Sequence, residues 1–250
     1  MNKSKYIYLS AFFVALSIYP IANAYDPITE DLKVIKKNKK EVSWKINSEK
    51  SKLHFTIGAN PNVTITGYFP NGISGNLLLN NEKSTGEFKV KISTLKSVNQ
   101  LGKENPVRDM NVVESFFGTK NSSFAKDAVN RVWDSLTGVL DKGVQHASFK
   151  IKKVENLKMD SKTNANCVVK GDITLWGKIN IPVDFPVKAE MKDNSLEILG
   201  DKPATFDLLK VLGDKRDIVF ETLKAAGCPH DAGVKNEVSI YLDKIVFDKK

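Results

Sequence analysis

Residues 169–187 read VKGDITLWGKINIPVDFPV, and their alternation decides the fold. Every second position is apolar or glycine: Val169, Gly171, Ile173, Leu175, Gly177, Ile179, Ile181, Val183, Phe185 and Val187. Between and just beyond them stand Lys170, Asp172, Thr174, Lys178, Asn180, Asp184 and Lys188. Side chains on a strand point alternately to its two faces, so this run predicts two strands with one dry and one wet face. A tight turn is expected between them at Trp176-Gly177-Lys178.

The same period recurs outward from this stretch. Toward the N-terminus it runs through Phe149 and Ile151, then Phe88, Val90 and Ile92, then Ile73, Gly75, Leu77 and Leu79. Before these come Val63, Ile65, Gly67 and Phe69, then Leu53, Phe55 and Ile57, and first Val42, Trp44 and Ile46. Pro70-Asn71-Gly72 and Asn80-Asn81-Glu82-Lys83 are expected turns. Toward the C-terminus, Val238, Ile240 and Leu242 alternate before the phase slips to Ile245 and Phe247, which predicts a bulge near Asp243-Lys244. About eight strands with one apolar face each must bury that face in a sandwich or a closed barrel. No Gly-rich linker or long internal repeat divides the chain, so one domain is expected.

Two segments depart from the β pattern. Across Ser123–Gln145, Phe124, Ala128, Val132, Leu136 and Leu140 recur at helical spacing, with Val129, Trp133 and Val139 beside them. Ser122 or Ser123 can cap the start of this helix and Gly143 its end. Asp217 to Ala226, ended by Gly227, is a shorter helix candidate. Either helix packs on the barrel or covers its mouth as a lid.

The N-terminus carries the pattern of an export signal. Lys3 and Lys5 precede an apolar core from Ile7 to Ile21, and Ala22-Asn23-Ala24 offers a small-x-small site. Residues 1–24 are therefore expected to be removed, with cleavage between Ala24 and Tyr25 and delivery to the periplasm or the outside. The core is too short and too dotted with polar residues to span a membrane stably. The whole chain has a formal charge of +9, and the first 24 residues hold two lysines and no acid, which leaves +7 on the remainder. The lysines are scattered, and Lys36-Lys37-Asn38-Lys39-Lys40 has no interleaved aromatics, so nucleic-acid binding is not expected.

Chemistry-bearing motifs are sparse. His54, His146 and His230 form no metal-spaced pair, and Cys228-Pro229-His230 lacks partners, so neither a metal nor a cofactor is expected. No nucleophile elbow, phosphate loop or dinucleotide fingerprint occurs, so no catalytic residue is assigned and an enzyme is not expected. His54 falls on the polar face of its strand. Cys167 and Cys228 are a disulfide candidate in an oxidising compartment.

The order of motifs resembles that of the YceI-like family, exported bacterial proteins implicated in binding polyisoprenoids. The resemblance rests on Trp44 and Ser51-Lys52-Leu53-His54-Phe55, on Gly67-Tyr68-Phe69 with Gly72-Ile73-Ser74-Gly75, and on Arg108-Asp109-Met110 followed by Ser115-Phe116-Phe117. It continues through Ala147-Ser148-Phe149, Gly171-Asp172-Ile173-Thr174-Leu175-Trp176-Gly177 and Val234 to Leu242. Gly58-Ala59-Asn60 and Met110-Asn111 stand where the family often carries histidines, and the Ser123–Gln145 segment replaces a short loop. The resemblance implies an all-β fold, an antiparallel lipocalin-like eight-stranded barrel with one or two added helices. The expected organisation is a signal at 1–24, a linker at 25–43 and the barrel at 44–250, with a helical insertion at about 122–145.

The apolar face positions Phe55, Ile57, Phe69, Leu77, Phe88, Val90, Ile92, Phe149, Ile151, Leu175 and Phe185 are the candidate ligand-lining residues. Small eight-stranded barrels either fill with side chains or hold one ligand, and the residues alone leave both open. The resemblance implies a cavity for an isoprenoid, quinone-like chain or another amphiphile, held as a carrier or reservoir. A tail of about twenty carbons gains roughly 16 kcal/mol gross on burial, before ordering costs. The alternative is an envelope stress or interaction protein that uses a filled barrel as a scaffold. Oligomeric state stays open.

Overall fold

The structure is a computed structural model, and it describes residues 42–59, 64–79, 85–106, 109, 144–161, 163–192, 194–215 and 234–250. The export signal, most of the Ser123–Gln145 segment, Asp217 to Ala226, Arg108 and Cys228 lie outside the described residues. Among the described residues twelve strands form: β1 (Val42–Ile46), β2 (Lys52–Ala59), β3 (Thr64–Tyr68), β4 (Ile73–Leu79), β5 (Thr85–Lys91), β6 (Lys96–Asn99), β7 (His146–Met159), β8 (Asn164–Leu175), β9 (Ile179–Lys192), β10 (Ser195–Gly200), β11 (Ala204–Asp207) and β12 (Val234–Lys249). A short helix, α1 (Leu208–Leu212), follows β11.

The strands make two tiers that share β12. In the lower tier β1, β4, β5, β7, β8, β9, β10 and the C-terminal half of β12 pair in that order, and β12 pairs back to β1. This closes the eight-stranded antiparallel barrel that the family resemblance implies. In the upper tier the N-terminal half of β12 pairs with β11 on one side and β2 on the other, and β2 continues to β3 and β6. The two halves of β12 meet at a register shift between Tyr241 and Lys244, where the hydrophobic phase slips in the sequence.

Local chemistry explains the break between the tiers. β1 and β2 are one path interrupted at residues 47–51, and the hydroxyl of Ser51 repairs the ladder there. Ser51 is buried, its Oγ accepts from the Val246 amide at 3.0 Å and donates to the Val246 carbonyl at 3.4 Å. Ser51→Ala removes the partner of the Val246 amide, while the carbonyl keeps its bond from the Asn47 amide at 2.8 Å, and is expected to cost about 1–3 kcal/mol, read as a lower denaturant midpoint. β3 and β4 are interrupted at Asn71-Gly72, where Asn71 has φ 51°. A Cβ on Gly72 would collide with Thr94 Oγ1. The Gly72 carbonyl accepts from Lys91 N at 2.8 Å and holds the hairpin together.

β8 and β9 turn at Trp176-Gly177, with φ 49° and 69°, and Lys178 N donates to the Leu175 carbonyl at 3.1 Å. Positive φ at both central residues matches the twist of the flanking strands. Tryptophan is strained in that conformation, but its side chain is 0% exposed, and the buried indole offsets the strain.

The lower barrel is filled. Trp44, Leu77, Leu196, Ile245 and Phe247 are 0–1% exposed. The rings of Phe88, Phe149, Phe185 and Phe247 form a chain through the interior, with centroids 5.7 Å (Phe88–Phe149), 5.5 Å (Phe88–Phe247) and 5.3 Å (Phe149–Phe185) apart. Glycine makes room for them: a Cβ on Gly171 would collide with the Lys150 carbonyl and press on the Phe149 ring. Cys167 is buried in this core, and burial pushes its thiol up to about 12.

The outer face is laced by ion pairs. Glu155 is met by Lys153 and Lys170, each at 2.8 Å, and these hydrogen bonds hold its carboxyl down at about 2. Glu197 is lowered in the same way, first by Lys192 at 2.9 Å and also by Lys244 at 3.0 Å. A carboxylate depressed in the folded state contributes stability above its unfolded value, and that contribution is lost as pH falls through the folded value. Stability is therefore expected to decline as pH drops from the ordinary 4.5 of a glutamate toward 2. Glu155→Gln should flatten that slope in acid denaturation curves.

Candidate functional site

Register fixes which side chains share the inner face of the upper tier. Direct cross-strand partners point to the same side of a sheet. One row runs Ala204, Ile240, Phe55, Gly67 and Ser97 from β11 to β6, and the next runs Phe206, Val238, Ile57, Ile65 and Asn99. Five strands spaced at about 4.8 Å make each row about 19 Å across. Both rows are apolar until they reach β6, where they end on a hydroxyl and an amide.

Exposure separates this face from the barrel below it. Phe55, Ile57, Ile65, Phe206 and Ile240 are half-buried, as are Leu53 and Phe69 nearby. Leu53, Phe55, Ile57, Phe206 and Ile240 pack on the barrel core, and Phe55 and Phe69 also pack on Ile92 and Leu95. Phe55 lies over Gly67, where any Cβ would collide with its ring, and its centroid is 6.0 Å from that of Phe69. The upper sheet is thus an apolar floor continuous with a dry core.

The sequence-derived lining residues divide between the tiers. Phe55, Ile57 and Phe69 belong to the upper floor. Leu77, Phe88, Phe149, Ile151 and Phe185 are buried in the lower barrel, with Leu77 at 0% and Phe185 at 2% exposure. Val90 and Leu175 are half-buried at strand ends near the junction, and Ile92 is buried there. Phe206 is a floor residue that sequence reasoning missed, because β11 is four residues long and too short to display alternation. Ile65 and Ile240 were legible as strand residues, but their place on the floor depends on pairing.

Asp109 has a definite task. Its carboxylate accepts from the Ser97 amide at 3.1 Å and from the Ser97 hydroxyl. It therefore pins β6, the edge strand of the floor, to the chain that follows it. Arg108, the neighbour of Asp109 in the Arg108-Asp109-Met110 motif, lies outside the described residues. His54 is on the outer face as expected, yet it is half-buried rather than simply solvated. Its ring stacks on Tyr241 at 4.4 Å, and its Nδ1 is 2.8 Å from Asp243 Oδ2, so it clasps β2 to β12 beside the bulge. Burial and the Glu104 carboxylate raise the Tyr68 phenol above its ordinary range. Among the described residues, no three His, Cys, Asp or Glu side chains converge as a metal site.

The YceI-like domain model matches residues 44–243. The chain belongs to the YceI-like family. The match starts at Trp44 and ends at Asp243, within the bulge of β12, so it takes in strands of both tiers. No curated protein matches the chain in sequence. Among solved structures, a polyisoprenoid binding domain from Saccharophagus degradans implicated in plant cell wall breakdown is similar, with a TM-score of 0.52 and 11% identity. The likeness covers 83% of this chain and 97% of that one, and at such identity it speaks for the fold. BcnA of Burkholderia cenocepacia is similar at a TM-score of 0.46 and 15% identity, over 81% of this chain and 98% of that one. No helix among the described residues is long and apolar enough to cross a membrane.

Proposed function

We propose that this YceI-like chain is an exported lipid-binding protein that holds the tail of an isoprenoid, quinone-like or other amphiphilic molecule on the floor of its upper tier. It acts there as a carrier or reservoir in the periplasm. The observation that carries the reading is the contrast between tiers. Most inward side chains of the lower barrel are buried against one another, whereas in the upper rows Phe55, Ile57, Ile65, Phe206 and Ile240 are only half-buried beside the buried Ala204 and Val238. Such a surface has free energy to gain from an apolar occupant, at about 0.8 kcal/mol per methylene buried. The rows also suit an amphiphile. A tail crosses β11, β12, β2 and β3, and a polar head meets Asn99 and the Ser97–Asp109 pair at β6.

Two further points support the reading. The similar domain from Saccharophagus degradans is described as polyisoprenoid binding. The residues before Tyr25 have the composition of an export signal, and an isoprenoid needs a soluble escort across an aqueous compartment. The filled lower barrel is what the scaffold alternative requires, but that alternative gives no reason for an apolar floor above it. Organic extraction and mass spectrometry of the protein purified from its own cells test the proposal. An isoprenoid or similar lipid near one per protein is the expected result. A clean extract, together with no uptake of geranylgeraniol by the purified protein, overturns it.

A further inference from the structure

The turn after β6 is built to hold an apolar residue in water. Asn99 Oδ1 accepts from the amides of Leu101 and Lys103, both at 3.0 Å. Gly102 N donates to the Asn99 carbonyl at 2.9 Å, and Asn99 N donates to the Lys103 carbonyl at 3.1 Å. Gly102 has φ 72°, which glycine adopts without strain. Gln100 Oε1 accepts from Thr64 N at 2.9 Å and ties the turn to the start of β3. At the tip of this braced turn Leu101 is 73% exposed. The other large apolar side chain exposed among the described residues, Leu199, is 40% exposed on the outer face of β10.

Position and charge suggest a partner. The turn stands at the end of the upper tier farthest from the closed barrel, directly after Asn99, the polar end of a floor row. Lys103 closes it and is exposed, and the next residue, Glu104, accepts from the Tyr68 hydroxyl at 3.2 Å. Without its first 24 residues the chain is still cationic, at +7. Apolar tips beside lysines bind the interface of anionic bilayers, where the side chain enters the acyl boundary and the ammonium groups meet lipid phosphates.

We infer that the Leu101 turn is a membrane-docking tip, which sets the β6 edge of the floor against an anionic lipid surface so that a tail can move between bilayer and protein. The tip rests on the lipid-binding reading for its purpose, but its membrane affinity is measurable independently. One apolar side chain and one lysine give weak, reversible attachment, as a shuttle requires.

Co-sedimentation with vesicles of phosphatidylethanolamine and phosphatidylglycerol tests it. The protein should bind these vesicles, bind phosphatidylcholine vesicles less, and lose binding as salt is raised. Leu101→Ser should lower the partition coefficient about tenfold. Lys103→Gln should lower it about fivefold. Both variants should keep the wild-type affinity for geranylgeraniol in detergent-free solution. In Leu101→Trp, tryptophan emission should gain a blue-shifted component on adding vesicles. Equal partitioning of wild type and Leu101→Ser, or no emission shift, overturns the tip. Loss of geranylgeraniol binding in the wild type instead overturns the lipid-binding reading and leaves the vesicle result standing on its own.

Discussion

Phe247→Ala is expected to destabilise the protein by about 3–5 kcal/mol. Phe247 is 0% exposed and lies where β12 closes the barrel, opposite Ile46 on one side and Leu196 on the other. Its ring is 5.5 Å from Phe88, the next member of the aromatic chain. A closed wall of hydrogen-bonded strands cannot easily collapse into the space a lost ring leaves, so the cavity term adds to the lost transfer energy. A domain stable by about 5–15 kcal/mol loses a large part of its margin. Denaturant unfolding should show a lower midpoint with an unchanged slope. Phe69→Ala, in the half-buried upper floor, should cost less, under about 2 kcal/mol. Equal losses at the two positions would remove the distinction between a filled tier and an open one.

Ile57→Asp is expected to do the reverse, with a modest effect on folding and a larger one on binding. Ile57 is half-buried in the middle of the second floor row, opposite Val238 and Ile65. The free protein can hydrate a carboxylate there, but a bound tail would strip that water away, at a cost of several kcal/mol. Affinity for geranylgeraniol should fall by about a hundredfold, about 2.7 kcal/mol, while stability falls by less, about 1–2 kcal/mol. Isothermal titration or displacement of a fluorescent fatty acid reads the first quantity, and denaturant unfolding reads the second. Unchanged affinity would place the tail elsewhere.

Much of the architecture was legible in the sequence because strand chemistry is local. The run from Val169 to Val187 foretold β8, β9 and the turn at Trp176, and the phase slip after Leu242 foretold the bulge. β6 and β11 escaped because four residues show too few alternations to stand out, and β10 because Leu199, next to Ile198, breaks the alternation. β10 is nevertheless one of the eight barrel strands. The division into tiers was also hidden. It depends on β12 exchanging partners half-way along, a pairing fact that no single strand records. Lining residues such as Phe55 and Phe149 therefore look alike in sequence, since both are apolar on an inward face. Only the closure of the lower barrel makes one a floor and the other a plug. Ser51 was visible within a motif, but its function of completing the ladder at Val246 required the fold.

The most direct test is where a tail touches the protein. A geranylgeraniol analogue carrying a diazirine at its tail end, irradiated in complex with the protein and mapped by peptide mass spectrometry, reads this out. Crosslinks are predicted on β2, β3, β11 and the first half of β12, around Phe55, Ile57, Phe206 and Ile240. Crosslinks at Phe149, Ile151 and Phe185 inside the lower barrel would contradict a tail held on the upper floor.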